Sequence, residues 1–341
     1  MPSMKLSKRT AWSREPTAIT EALGRARARD RTVVDLTEGN PTRCRLGDRE
    51  DDVRELGDPN GARYAPEPFG LRGARDAVAR YYRERGRDVA PEQIVLTAST
   101  SEAYAWLFKL LCDPGDVVLA PRPSYPLFPY IADLESVRLS SYPLIRSERW
   151  RVDVGALERT LDAEPTVRAL LLVHPGNPTG TLVHPDDADE LVRLASARGL
   201  ALIVDEVFLD YAWLAELGES SFAGRAGADV FVLSGLSKVA LLPQAKLGWM
   251  VVSGPHASEA LARLEIVADT FLSVSTAVQL ACPALLERAP AARHAALTRI
   301  RDNSAIADAI LDRHAELRRI PSDGGWYACI EVPRTRSDDD W

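Results

Sequence analysis

Cysteine is scarce in this chain, and its few copies stand far apart. Cys44, Cys112, Cys282 and Cys329 form no C-x-x-C pair and no zinc-ligand spacing. Neither a disulfide framework nor a structural zinc site is therefore expected, and the four are read as buried free thiols. Histidine is equally thin: His174, His184, His256, His294 and His314 fall into no H-E-x-x-H or similar ligand pattern. Long apolar runs are missing, so no segment approaches the roughly 18 consecutive apolar residues of a membrane helix. The basic start, MPSMKLSKRTAW, lacks the apolar stretch of a secretory signal. Together these absences predict a cytoplasmic protein with no membrane partner. Excess positive charge is missing as well. A net charge of −7 argues against a general nucleic-acid binder.

Lysine is the most telling shortage. Of 42 basic residues only five are lysine: Lys5, Lys8, Lys109, Lys238 and Lys246. Arginine is the default cation here, so two interior lysines eight residues apart call for a chemical explanation. What remains is an ordinary globular composition, 46% hydrophobic and 27% charged over 341 residues. A chain of that length can bury about three quarters of its unfolded surface without covalent staples. The alternating Arg25-Ala-Arg-Ala-Arg29 reads as a solvated helix face.

Short apolar runs recur between amphipathic stretches. Strands are expected at Val33–Leu36, Ile94–Thr97, Val117–Ala120, Val137–Tyr142, Ala169–Val173, Leu200–Asp205, Val230–Ser234 and Leu247–Val252. Helical patterns cover Leu71–Arg85, Ser101–Leu111, Pro185–Ala197 and a long tract from His256 to Arg313, and Trp326–Val332 is strand-like again. Strands alternating with helices predict an α/β fold with a largely parallel sheet covered on both faces. Ligands of such sheets bind in loops at the carboxyl ends of the strands.

Three of those loops carry chemistry. His174-Pro-Gly-Asn-Pro-Thr-Gly180 follows the strand ending at Val173, and its prolines and glycines hold the Asn177 amide in a rigid turn. Asp205 and Glu206 end another strand and point to opposite faces, so one of them looks into the crevice. A buried carboxylate needs a cationic or hydrogen-bonding partner, and a protonated pyridine nitrogen is a fitting one. Lys238 lies in a Gly/Ser turn after the next strand, where partial burial lowers an amine's pKa and makes it nucleophilic toward an aldehyde. Lys246 could bring a fixed positive charge to a phosphate. Ser99-Thr100-Ser101 opens a helix after a strand, where N–H groups, hydroxyls and the helix dipole converge.

The order Asn-Pro-Thr-Gly180, Asp205-Glu-Val-Phe208, then Ser237-Lys238 with Lys246 before Gly248-Trp249 resembles the class I/II, fold-type I pyridoxal-phosphate aminotransferases. The likeness runs from Thr37-Glu-Gly-Asn-Pro-Thr42 to the end of the chain. It implies a three-layer large domain over residues 46–285, with a mostly parallel mixed sheet that holds pyridoxal 5′-phosphate. Residues 1–45 and 286–341 would form a small α+β domain that stops short of the usual family length. By the same resemblance Lys238 would carry the cofactor as a Schiff base and move the proton. Asp205 would pair with the pyridinium nitrogen, Asn177 would face the phenolate oxygen, and Tyr125 would stack on the ring. Ser99, Thr100, Ser101, Ser237 and Lys246 would hold the phosphate. Tyr64 matches a tyrosine that reaches the neighbouring subunit's phosphate, which implies a homodimer with a shared site. Asn177 and the backbone at Gly39 and Asn40 would take the substrate carboxylate.

The implied activity moves an amino group between an amino acid and a 2-oxo acid. A C–S β-lyase or decarboxylase on the same fold, a cofactor-binding regulator module, or an inactive truncated fragment are the alternatives. Three departures stand out. Phe208 replaces a tyrosine that bonds the phenolate oxygen in many relatives, and Tyr211 is no assured substitute. Gly235 replaces a phosphate-binding serine, for which Ser234 or Ser237 could compensate. Lys246 stands where most relatives have arginine. No arginine for the substrate carboxylate can be assigned.

Overall fold

Strand formation follows the apolar runs closely in the computed structural model, which describes residues 4–46, 49–146, 149–213 and 221–337. Eight strands form one sheet: β1 (Ile94–Thr97), β2 (Val117–Arg122), β3 (Arg138–Arg146), β4 (Trp150–Val152), β5 (Val167–Val173), β6 (Ala201–Asp205), β7 (Asp229–Gly235) and β8 (Gly248–Ser253). Their order is β1-β8-β7-β6-β5-β2-β3-β4. The run from β7 through β6, β5 and β2 to β3 is parallel, and β8, β1 and β4 pair antiparallel at the margins. Mixed and mostly parallel, the sheet is the one the alternation predicts.

Period-two alternation places two apolar cores, one on each face. Leu170, Leu172, Leu202, Val204, Val230 and Val232 pack on one side, against helices at Arg72–Arg83, Pro185–Arg198 and Thr276–Leu311. Ala169, Leu171, Ile203, Phe231 and Leu233 pack on the other, under Thr100–Leu111 and Ala257–Phe271. Because both faces are covered, the central strands read as continuous apolar runs.

Four expectations need correction. Val33–Leu36 forms no strand; Val34 and Leu36 are 75% and 90% exposed, and Asp35 Oδ1 instead accepts from the Thr37 N–H and hydroxyl. Short side chains that bond their own backbone compete with sheet pairing in this way. The long helical tract breaks into two helices because Leu272 turns left-handed and Ser275 begins the next. Within Trp326–Val332 only Ile330–Glu331 pairs, with Arg318–Arg319. All four cysteines are free, yet only Cys282 is fully buried. Residues 338–341 of the acidic tail lie outside the described residues. Among the described residues no helix is long and apolar enough to cross a membrane.

Candidate active site

The same alternation that builds the two cores aims the functional side chains. Ala201 and Ile203 of β6 face the core beneath Thr100–Leu111, so Asp205 continues onto that side and Glu206 turns to the other. On β5 the parity sends His174 away from the crevice. On β7 it sends Ser234 away and leaves Gly235 at the crevice wall.

A cavity of about 240 Å³ opens where these strands end. Ser99, Thr100, Ser101, Tyr125, Asn177, Asp205, Ser237, Lys238 and Lys246 all line it, so nine of the expected site residues meet at one place. Tyr64 does not; it is 80% exposed beside a separate cleft near Pro66 and Gln279. Gly39 and Asn40 are also outside the lining. Asn40 spends its Oδ1 on the Thr42 N–H and hydroxyl, while Gly39 lies near the Tyr327 hydroxyl, 3.7 Å from where a Cβ would stand.

Charge is arranged from one end of the cavity to the other. At one end the helix Thr100–Leu111 begins, with Ser99 as N-cap accepting from the Glu102 N–H at 3.2 Å. Its free N–H groups and dipole favour an anion there. Gly248 is required at this point, since a Cβ would sit 3.0 Å from the Ser99 carbonyl carbon and 3.1 Å from the Thr100 nitrogen. Lys246 joins the same end from a left-handed backbone, φ 52° and ψ 50°. That conformation costs a non-glycine residue about 1–2 kcal/mol, and a lysine is retained nonetheless. Of the two serines considered there, Ser237 lines the cavity, whereas Ser234 is buried on the far side with no partner for its hydroxyl among the described residues.

Asp205 is the acidic end. It is 7% exposed, accepts from the Tyr104 hydroxyl at 2.7 Å and from the Val207 N–H at 3.0 Å, and forms no ion pair among the described residues. Burial holds its carboxyl above the ordinary range, against the pull of Tyr104, Val207 and the Lys238 charge. Lys238 stands between the two ends. Burial pushes its amine below the usual lysine value, and Asp205 acts in the opposite sense. The amine lies 4.8 Å from the Trp326 ring centre and 5.6 Å from that of Phe208. Tyr211 donates its hydroxyl to the Lys238 carbonyl at 2.7 Å, which leaves it engaged outside the cavity.

Several participants carried no local signal in the sequence. Tyr104, one helical turn past Ser101, could have been found from the helix period. Tyr327 could not: it arrives from the C-terminal segment and lines the cavity with Asn177, which lowers its phenol against the rise that burial causes. Close backbone approach brings it there. The Asp323 and Gly324 N–H groups donate to the Gly180 carbonyl at 2.8 and 2.9 Å, and the Gly325 N–H donates to the Tyr211 carbonyl at 3.1 Å. A Cβ on Gly180 would stand 2.5 Å from the Gly324 oxygen, so the turn after Asn177 is glycine because this segment lies upon it.

His174 is buried and accepts from the Val183 N–H at 2.9 Å; burial and Arg225 push it down to about 3, so it stays neutral. Glu206 is 2% exposed and accepts from the Ser221 hydroxyl and the Phe222 N–H, and burial pushes it up to about 7. Between its ordinary value and about 7 the unfolded chain sheds this proton first, so stability falls as pH rises through that window. Glu206→Gln is expected to remove up to about 3 kcal/mol of that pH dependence. Urea unfolding of both proteins at pH 5 and 7 measures it, and an unchanged difference would refute the assignment.

The protein-family model for aminotransferase class I and II matches residues 31–339. Among curated relatives, nicotianamine aminotransferase 1 of Oryza sativa subsp. japonica is 28% identical over 258 residues, 72% of this chain and 50% of that protein. An S-alkyl-thiohydroximate lyase of Arabidopsis thaliana is 27% identical over 274 residues, 76% of this chain and 58% of that protein. The chain thus spans about half the length of these two relatives. An alanine aminotransferase structure from Pyrococcus furiosus superposes with a TM-score of 0.84 at 24% identity, covering 98% of this chain and 86% of that one.

Proposed function

This chain belongs to the class I and II aminotransferases, and on that premise we propose that it transfers an amino group between an amino acid and a 2-oxo acid with pyridoxal 5′-phosphate. The observation that carries the reading is the ordered polarity of the crevice. An anion site at a helix start, a desolvated amine and a buried carboxylate follow one another along it. The cofactor has the complementary sequence of phosphate, aldehyde and basic ring nitrogen, so the donor set fits it.

Bound there, pyridoxal phosphate supplies an electron sink for the bonds at the amino acid's Cα. Lys238 Nζ is the group that would take the Cα proton and return it, since it lines the crevice and burial pushes its amine below the usual lysine value. Asp205 would face the ring nitrogen as its partner, with the Tyr104 hydroxyl, the Val207 N–H and the Lys238 charge favouring the carboxylate against its burial. Tyr104 and the Val207 N–H fix the carboxylate's orientation. Tyr125 offers a ring face, and Asn177 a neutral amide. Lys246, Ser237 and the Ser99–Ser101 turn bind phosphate. Tyr64, exposed and outside its own crevice, is free to serve a second copy, which favours a homodimer. The unpaired cysteines and the absence of a membrane-length helix among the described residues favour the cytoplasm.

Lys246→Ala is expected to weaken cofactor binding by about 10–100-fold, the worth of a hydrogen bond to a charged group, with Lys246→Arg recovering most of it. Equilibrium dialysis with pyridoxal phosphate measures both. The activity is tested by an amino-donor panel with 2-oxoglutarate or pyruvate as acceptor. Amino acid formed from the acceptor supports transfer. Similarity to a protein named as a lyase favours β-elimination as the second reading. Ammonia and an oxo acid released from a sulfur amino acid without any acceptor would establish that instead.

A further inference from the structure

The crevice lacks a hydroxyl at position 208, where Phe208 presents a bare ring beside Lys238. A hydroxyl nevertheless stands close by. Tyr327 packs edge-on against Phe208, centroids 5.9 Å apart at 88°, and lines the crevice together with Asn177, which pulls its phenol down. We propose that Tyr327 is a cofactor-tuning residue: with Asn177 it donates to the phenolic oxygen of pyridoxal phosphate, supplying from the C-terminal segment the hydroxyl that Phe208 does not have.

The inference rests on the crevice being a pyridoxal-phosphate site, and the rest comes from the cofactor's covalent structure. Its phenolic oxygen neighbours the aldehyde carbon, and the ring nitrogen lies across from that carbon. A ring with its nitrogen toward Asp205 and its aldehyde toward Lys238 presents the phenolic oxygen to the crevice wall beside the lysine. Asn177 and Tyr327 both line that crevice, and neither carries a charge. Burial raises the Tyr327 phenol and Asn177 pulls it back. A phenol both donates and accepts, so Tyr327 can give its proton to an oxygen placed in the cavity.

Placement of Tyr327 is rigid. Its segment is bonded to Gly180 beyond Asn177 and to Tyr211 beyond Asp205, so both cofactor-facing loops are tied to the residue between them. Trp326 packs at 5.3 Å on Phe208 and 5.1 Å on Tyr211, fixing the approach.

A donor at the phenolic oxygen stabilises the state in which the nitrogen linking Lys238 to the cofactor has lost its proton, because the oxygen's negative charge then has no neighbouring cation. Removing the donor raises the pH midpoint of the bound cofactor's absorption change. Lys238, Asp205, Tyr104 and Tyr125 also face this point, with Lys246 at the far end. The Tyr104, Tyr125 and Tyr327 phenols are all raised, so they remain protonated through a titration near neutrality.

The test uses the full chain loaded with pyridoxal phosphate. In Tyr327→Phe the spectral midpoint is expected to rise by about one pH unit, and the Tyr327→Phe/Phe208→Tyr double variant should recover most of the shift. Borohydride reduction and peptide mapping, run in parallel, show whether cofactor is attached at Lys238. Attachment with an unmoved midpoint in Tyr327→Phe overturns this proposal alone. A raised KM for the amino donor with that unmoved midpoint would place Tyr327 at the substrate and overturn it likewise. Failure of attachment in the unaltered chain overturns the cofactor reading and this inference with it.

Discussion

Lys238→Ala is expected to lower kcat for amino transfer by at least about 10²–10⁴-fold, the usual contribution of a positioned general base. The crevice contains two lysines, and they cannot exchange duties. Lys246 sits at the helix start on a left-handed backbone, whereas Lys238 stands between the Phe208 and Trp326 rings on the side of Asp205. Lys238→Arg is expected to fail as fully as alanine. A guanidinium keeps the charge but neither loses its proton at neutral pH nor forms an imine. Steady-state kinetics of the two variants check this, with a small primary amine added to the alanine variant. Partial recovery by the amine supports a proton-transfer role, and an arginine variant with kcat near the parent's would refute it.

Asp205→Ala should be the next most damaging change, lowering kcat by about 10²- to 4 × 10³-fold. Removing one partner of a buried charge pair costs roughly 3–5 kcal/mol, and tenfold in rate corresponds to about 1.4 kcal/mol. Asp205→Asn separates charge from packing, because the amide oxygen can still accept from the Val207 N–H while its NH2 donates to the Tyr104 hydroxyl, which can reverse its role. Here activity and stability should move in opposite directions. The folded chain holds the Asp205 carboxyl above its ordinary value, so stability is lost as pH rises from the unfolded value through the folded one. Without cofactor at neutral pH, the asparagine variant should therefore melt no lower than the parent. With cofactor it should lose activity and gain less thermal stabilisation. Calorimetry with and without pyridoxal phosphate measures both, and equal stabilisation of the two proteins would contradict the pairing.

Much of this site was legible in the chain because its residues follow strands, and strands announce themselves by short apolar runs. Asn177, Asp205 and Lys238 stand after β5, β6 and β7, adjacent parallel strands whose carboxyl ends must lie side by side. The opposed aim of Asp205 and Glu206 was equally readable, since side-chain direction alternates along a strand. The signal failed where tertiary contact decides. Val33–Leu36 has a strand's composition, yet Asp35 closes on Thr37 and the segment remains unpaired with the sheet. Tyr327 gave no hint because its place is set by glycine contacts at Gly180 and Gly324, far apart in sequence. Lys246 stood out because lysine is rare in this chain and because it occupies the place of an arginine in the resembled family. Its left-handed backbone supplies the physical reason that the choice is costly.

The central claim is that the crevice at the ends of β1 and β5–β7 takes pyridoxal phosphate on the amine of Lys238. With five lysines in 341 residues, the attachment site can be read without ambiguity. The full chain is incubated with pyridoxal phosphate, reduced with borohydride, digested, and its peptides are mapped by mass. The account predicts one stoichiometric phosphopyridoxyl group on the peptide that contains Lys238. Labelling confined to Lys5, Lys8, Lys109 or Lys246, or spread evenly over all five, would contradict it.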